Sequence, residues 1–302
     1  MQNTWELDIR QGWIIGLALA AISLAVAVGL VVLAALNPVT LLTFLLGVVA
    51  FVALAFTVVV IYQLWGLVNA YYEMDRNALV IYWGGTRHQI PMASVREVLP
   101  GAEIADVRMR PGLRWPGYFV GYGESENHGG ILYFATRPRA EHVVVRTAGM
   151  AYAISPRETE SFLPALRERL EMGPTQEIAE ESEHPAFLDW VIWRDRLALG
   201  LLLGSSALLL LLVGLLCCRY PTLPAQVALR VTQDGAALLM AEASRIFYFA
   251  TLGVIFLLLN GGLGLLLYHR DRTAAYFVWS GLLILQSGLW GAVLTVLSRT
   301  AK

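Results

Sequence analysis

Lysine is almost missing from this chain: Lys302 is the only one, and arginine carries nearly all the positive charge. Cysteine is as scarce. Its two copies, Cys217 and Cys218, are adjacent. Adjacent cysteines close no disulfide framework and give too few ligands for a structural zinc site, so they read as small apolar fillers. Acids and bases balance to a formal net charge of −1 with no basic face, and nucleic acid is not an expected partner. Five long stretches lack Asp, Glu, Lys and Arg altogether: 13–36, 39–68, 197–217, 246–268 and 274–297. A hydrocarbon core about 30 Å thick takes roughly 20 helical residues to cross. A charge at the centre of such a helix costs about 2.5–3.5 kcal/mol, so its absence from all five is informative.

What is present agrees. Hydrophobic residues make up 57% of the chain and charged residues 15%, against norms of about 45–50% and about 25%. The surplus lies in the five runs, which predict five transmembrane helices. The first run is longer than a signal peptide core, and no small-residue cleavage pattern follows it, so it reads as a permanent helix.

Between spans 13–36 and 39–68 stand only Asn37 and Pro38. Proline sets a tight turn and asparagine tolerates the bend, which predicts an antiparallel hairpin over residues 1–68. Residues 69–196 then lie on the side of the N-terminus. With five spans, the short connection His269-Arg270-Asp271-Arg272-Thr273 lies on that side too. Its two arginines place it in the cytoplasm by the positive-inside rule. Arg219, Arg230, Arg245, Arg299 and Lys302 fall on the opposite face and argue against this. The expected arrangement is a multi-pass protein of the cell membrane with its N-terminus and middle module inside.

The middle module, 69–172, reads as strands followed by one helix. Alternating residues predict strands at Ala70–Met74, Ala78–Trp83, Thr86–Ile90, Tyr118–Tyr122, Gly130–Thr136, Glu141–Thr147 and Ala151–Ile154, with Gly84-Gly85 as a hairpin turn. Ser155, Pro156 and Glu158 suggest an N-cap, a first helical residue and a capping box. Phe162, Leu166 and Leu170 then form one apolar stripe. Seven strands and an amphipathic helix predict a small β-barrel closed by that helix.

The stretches Tyr72-Glu73-Met74-Asp75-Arg76-Asn77-Ala78 and Gly84-Gly85-Thr86-Arg87-His88-Gln89-Ile90-Pro91 resemble the start of a bacterial pleckstrin-homology (PH) domain. Tyr133-Phe134-Ala135-Thr136, Val143-Val144-Val145-Arg146-Thr147 and Tyr152-Ala153-Ile154-Ser155-Pro156 match its later strands. The resemblance implies the fold and the membrane setting. It implies no catalytic residues, because the family shares none.

Residues 173–196 combine an acidic linker, Glu177–Glu183, with the aromatic run Phe187–Trp193, expected at headgroup depth with Arg194 and Arg196. The last section, 197–302, holds three spans and an outer loop, 218–245. Within that loop, Tyr220-Pro221-Thr222-Leu223-Pro224, Val227 and Asp234-Gly235 are similar to the outer loop of bacterial membrane proteins related to toxin-immunity receptors. Arg230 stands where that pattern often has histidine.

Catalytic constellations, cofactors and metals are not expected. His88, His128, His142, His184 and His269 are scattered without helical ligand spacing. Glu124, Glu126 and His128 fall in a glycine-flanked turn that reads as a solvated hairpin tip. Arg108, Arg110 and Arg114, with Arg137 and Arg139, are the candidate contacts to anionic lipid or to a protein, since guanidinium groups bind phosphate in a bidentate manner. Asn260, Gly261, Gly264 and Gln286 are candidates for interhelical packing. The expected function is a non-enzymatic membrane scaffold whose partners are lipids and a protein or further copies of itself. An immunity-like receptor using residues 218–245, or less favourably a transporter, is the alternative.

Overall fold

The computed structural model describes residues 4–104, 106–176, 178, 181–183, 191–231 and 237–300. Residues 187–190, and His184, Asp234 and Gly235, lie outside the described residues. The chain divides into two compact units. One comprises residues 1–25 and 53–189, the other 26–52 and 190–302.

The first unit opens with β1 (Thr4–Glu6) and the start of α1 (Arg10–Ala35), and resumes in α2 (Leu41–Val68). Both helices are apolar all round. Then come β2 (Tyr71–Met74), β3 (Ala78–Trp83), β4 (Thr86–Pro91), β5 (Val95–Pro100), β6 (Val107–Met109), β7 (Phe119–Ser125), β8 (Gly129–Ala135), β9 (Val143–Thr147) and β10 (Ala151–Ile154). The helix α3 (Thr159–Met172) and a short strand β11 (Glu181–Glu183) complete it.

A closed barrel is the expectation from sequence. The described strands instead pair in two sheets, β1-β2-β3-β4-β11 and β5-β9-β10-β8-β7-β6. Among the described residues no ladder joins one sheet to the other. The reason lies at the edges of the first sheet: β1 takes the free side of β2, and β11 takes the free side of β4. Alternation along the strands sends Tyr152 and Ile154 of β10 into the main core, shared with Tyr72, Ile81 and Phe134. Ala151 and Ala153 face a second cluster with Ile131, Tyr133 and Val144. The second sheet is therefore buried on both faces.

The helix α3 packs against the main core. Phe162 and Leu166 are fully buried, and Leu170 packs partly against the same core. Its start differs from the expected capping box. Ser155 does not cap it: its Oγ accepts the backbone N–H of Thr136 at 2.7 Å inside the core. The N-cap is Glu158, which makes no side-chain cap. Burial gave the Ser155 hydroxyl a nearer donor than the helix end, since a buried N–H must be satisfied.

The second unit contains the distal parts of α1 and α2, then α4 (Arg196–Arg219), β12 (Gln226–Val231), β13 (Ala237–Glu242), α5 (Phe247–Tyr268) and α6 (Arg272–Thr300). The turn before α2 is closed by Thr40 and Thr43, each backbone N–H donating to the other's hydroxyl at 2.9 and 3.4 Å. The loop expected at 218–245 contains the antiparallel hairpin β12–β13. Among the described residues five helices, α1, α2, α4, α5 and α6, are long and apolar enough to cross a membrane.

Candidate functional site

The β module is fastened to the first helix pair within its own unit. Trp115 lies in the loop before β7 and stacks on Tyr118 with ring centres 4.3 Å apart. Its Nε1 donates to the carbonyl of Gly12 in α1 at 2.8 Å. Gly117 adopts φ +86° and its Cα lies so close to Gly12 that a Cβ would collide with the Gly12 backbone. Only glycine combines that conformation with that approach. Leu64 and Leu67 of α2 join the same core as Trp83, Trp115 and Tyr118. Burial pushes the Tyr118 hydroxyl up to about 12, so it stays neutral.

The N-terminal strand belongs to the module too. Trp5 is buried and meets the ring of Phe162 edge-on at 5.3 Å. The Tyr72 hydroxyl donates to the carbonyl of Phe134 at 2.5 Å and accepts the N–H of Ser155 at 3.1 Å, which ties the two sheets together. Its pKa is raised, chiefly by burial.

The five candidate arginines have different partners. Arg108 is on β6 and pairs with Glu126 at 3.4 Å. Arg110 pairs with Glu124 at 2.8 Å and covers the ring of Tyr122 at 4.7 Å. These are exposed surface pairs. Arg137 donates to the carbonyl of Arg157 at 3.1 Å and lies 3.7 Å from Glu141. Arg139 is exposed in a short turn after β8, and its carbonyl accepts the N–H of His142. Arg114 is half-buried beside Trp115, at the end of the module seated on α1. Because β7 extends seven residues, at about 3.4 Å each, its Glu124 end lies far from the seat. Arg108 and Arg110 are carried away with it.

Asp106, Ser125 and His128 are brought together, a juxtaposition the sequence reading missed. Ser125 Oγ lies 2.9 Å from each Asp106 carboxylate oxygen and 3.2 Å from His128 Nδ1. The order is wrong for a nucleophile. In a triad the base takes the serine proton and the carboxylate orients the base; here the serine hydroxyl donates to the carboxylate itself. The hydroxyl bond from Ser125 lowers the Asp106 pKa. His142, also titratable, is lowered by burial, and its Nε2–H donates to the carbonyl of Arg137 at 2.7 Å. Among the described residues no cluster of His, Cys, Asp and Glu could hold a metal.

A concave surface lies beside β4. Thr86 and His88 of β4, Leu132 and Phe134 of β8, Tyr152 of β10, Gly149 and Met150 before it, and Ser182 of β11 surround a groove of about 600 Å³. His88 is buried, its Nδ1 2.7 Å from Ser182 Oγ and its ring 4.8 Å from that of Phe134.

In the second unit, Asp195 caps α4 through the N–H groups of Leu197 and Ala198, both at 3.0 Å. Its other oxygen accepts hydroxyls from Tyr268 at 2.7 Å and from Tyr276, tying three helix ends together. The Tyr276 bond leads in lowering its pKa to about 2. Gln286 is fully buried and donates to the carbonyl of Gly253 at 2.8 Å. Trp279 Nε1 reaches the carbonyl of Gly261 at 3.4 Å, and Gly264 lies under the same indole. Asn260 donates to Phe256 within its own helix at 3.1 Å rather than across a helix pair.

Residues 70–170 match the family model described as Bacterial PH domain. The module framed by β2 and α3 is thus a bacterial PH domain, with β1 added from the N-terminal segment. No curated protein and no solved structure matches the chain.

Proposed function

We propose that this protein is a non-enzymatic integral membrane scaffold. Its five long helices cross the cell membrane, and its PH domain lies at the cytoplasmic surface for contact with a protein or with lipid headgroups. The apolar side chains on the helices support the embedding: Phe51 is 72% and Leu266 76% exposed, a cost water would impose and lipid would not. The observation that carries the scaffold reading is the seat of Trp115 and Gly117 on Gly12, together with Leu64 and Leu67 in the domain's core. A domain so fastened is presented at one attitude instead of swinging on a linker. On this reading Arg114, beside the seat, is the arginine nearest the headgroups. Residues 1–68 are then a hairpin that carries the domain, 69–172 the domain, 173–196 the return, and 197–302 a three-span bundle.

The hairpin β12–β13 favours a second reading, a receptor whose outer loop binds a ligand. Two measurements test the proposal. A reporter fused at Glu180 is expected inside and one at Gln233 outside. Protection of position 233 from an impermeant label on intact cells would reverse the orientation. Purification of the intact complex with mass spectrometry is expected to recover a stoichiometric protein that is lost when Gly117→Leu unseats the domain. Recovery of the same protein with the unseated variant would remove the scaffold role.

A further inference from the structure

The outer edge of β4 is covered in an unusual way. Its inner edge pairs along all six residues with β3, from Ala78↔Pro91 to Trp83↔Thr86. Its outer edge pairs with three residues of the acidic linker, Glu181↔Gln89, Ser182↔His88 and Glu183↔Arg87. An uncovered strand edge is a template for a further strand, because its N–H and C=O groups seek partners. Here the chain supplies that strand from its own linker, and supplies the minimum.

The side chains make the same point. Successive residues of a strand face opposite sides, so the central residue of β11 is the one that looks into the groove. That residue is Ser182, an exposed residue whose hydroxyl meets His88. Beside Thr86, His88 and Gly149, the groove is lined by the apolar or aromatic side chains Leu132, Phe134, Met150 and Tyr152. A small polar side chain thus fronts a space of about 600 Å³. In strand addition, main-chain pairing supplies affinity and pockets for alternate side chains supply specificity. The linker satisfies the first requirement and leaves the second unmet.

We infer that the β4 edge and its groove form a strand-addition site for an extended segment of a partner protein carrying a large apolar residue opposite His88, and that Glu181–Glu183 occupies this site as a displaceable stand-in. The inference rests on the scaffold reading and names the surface through which the PH domain engages its partner. Capture of the edge by a partner frees Glu181–Glu183 from β4. Partner binding and linker position are then mutually exclusive.

The test uses the full chain in detergent. The probe is a synthetic peptide of residues 178–184 carrying S182L, compared with the same peptide unchanged. The hosts are the unaltered chain and E181G/S182G/E183G, in which three flexible residues replace the stand-in strand. We expect the S182L peptide to bind the triple-glycine host at least tenfold tighter than the unaltered chain, and at least tenfold tighter than the unchanged peptide does. Backbone amides of Arg87–Gln89 should exchange faster in the triple-glycine host and regain protection with the peptide. A second arm does not depend on that host: S182L in the chain itself should slow exchange at the same amides about tenfold, because leucine fills the groove. Equal affinity of the two peptides, no binding at saturation, or unchanged exchange in the S182L chain would overturn the inference. Equal affinity would identify the edge as merely an exchange point between identical linkers. If the peptide fails while partner recovery still depends on Gly117, this surface is excluded and the scaffold reading stands.

Discussion

The indole Nε1 of Trp115 donates to the carbonyl of Gly12 at 2.8 Å, joining a loop of the PH domain to a helix 103 positions earlier in the chain. That one bond sits among close glycine contacts and stacked aromatics, so its neighbours matter more than the bond itself. Trp115→Phe keeps the stacking and should cost about 0.5–1.5 kcal/mol. Gly117→Ala adds a Cβ at φ +86° against the Gly12 backbone; left-handed backbone alone costs on the order of 1–3 kcal/mol. Thermal unfolding of the purified chain should rank Gly117→Ala well below Trp115→Phe. The reverse order would mean that the hydrogen bond, and not the close approach, holds the seat.

Phe162 is fully buried beneath Trp5. Phe162→Ala should destabilise the domain by about 3–5 kcal/mol, since it removes transfer energy and leaves a cavity. Glu124→Ala loses an exposed pair with Arg110 and should cost no more than about 1 kcal/mol. Pulse proteolysis of the full chain measures both. Similar losses would mean that α3 does not close the core.

Asp195 is held below the ordinary carboxylate range, at about 2, first by Tyr276 and then by the other bonds at the head of α4. A depressed folded-state pKa contributes stability above the unfolded value of about 3.9, and that stability is lost as pH falls through about 2. The difference in melting temperature between the unaltered chain and Asp195→Asn should therefore be constant above about pH 5 and shrink between about pH 4 and 2. A difference that grows on acidification would mean that the carboxylate is not the favoured form there.

Gly264 and Gln286 separate shape from polarity in the helical unit. A Cβ on Gly264 collides with the Trp279 indole, so Gly264→Ala should cost about 1–3 kcal/mol through overpacking. Gln286→Leu removes the bond to Gly253 but also buries one fewer unpartnered oxygen, Oε1. Its net effect should stay within about 1 kcal/mol, as expected when a buried polar group is exchanged for an apolar one. Unfolding in detergent distinguishes them, and a larger loss for Gln286→Leu would point to a role beyond packing.

Much of the architecture was readable before any coordinates. Uncharged runs predict helices because a charge within them is costly, and residue alternation predicts strands because side chains alternate across a sheet. The similarity of residues 72–91 to a bacterial PH domain is matched over residues 70–170. Local patterns also misled. Ser155, Pro156 and Glu158 spell a helix start, yet Ser155 is buried and bonded to Thr136. Nor does sequence spacing announce the pairing of Arg108 with Glu126 and of Arg110 with Glu124.

Periodicity and the absence of charge are properties of neighbouring residues, so sequence alone determined the five long helices, the strand-rich module and the apolar stripe of α3. Partner choice at sheet edges, by contrast, depends on backbone groups that every residue carries alike. Nothing in Thr4–Glu6 or Glu181–Glu183 distinguishes them as strands until β2 and β4 offer them unpaired edges. Only the tertiary structure decided that, among the described residues, two sheets form without a ladder between them, that the N-terminal strand joins the first, and that a serine stands before the groove beside β4.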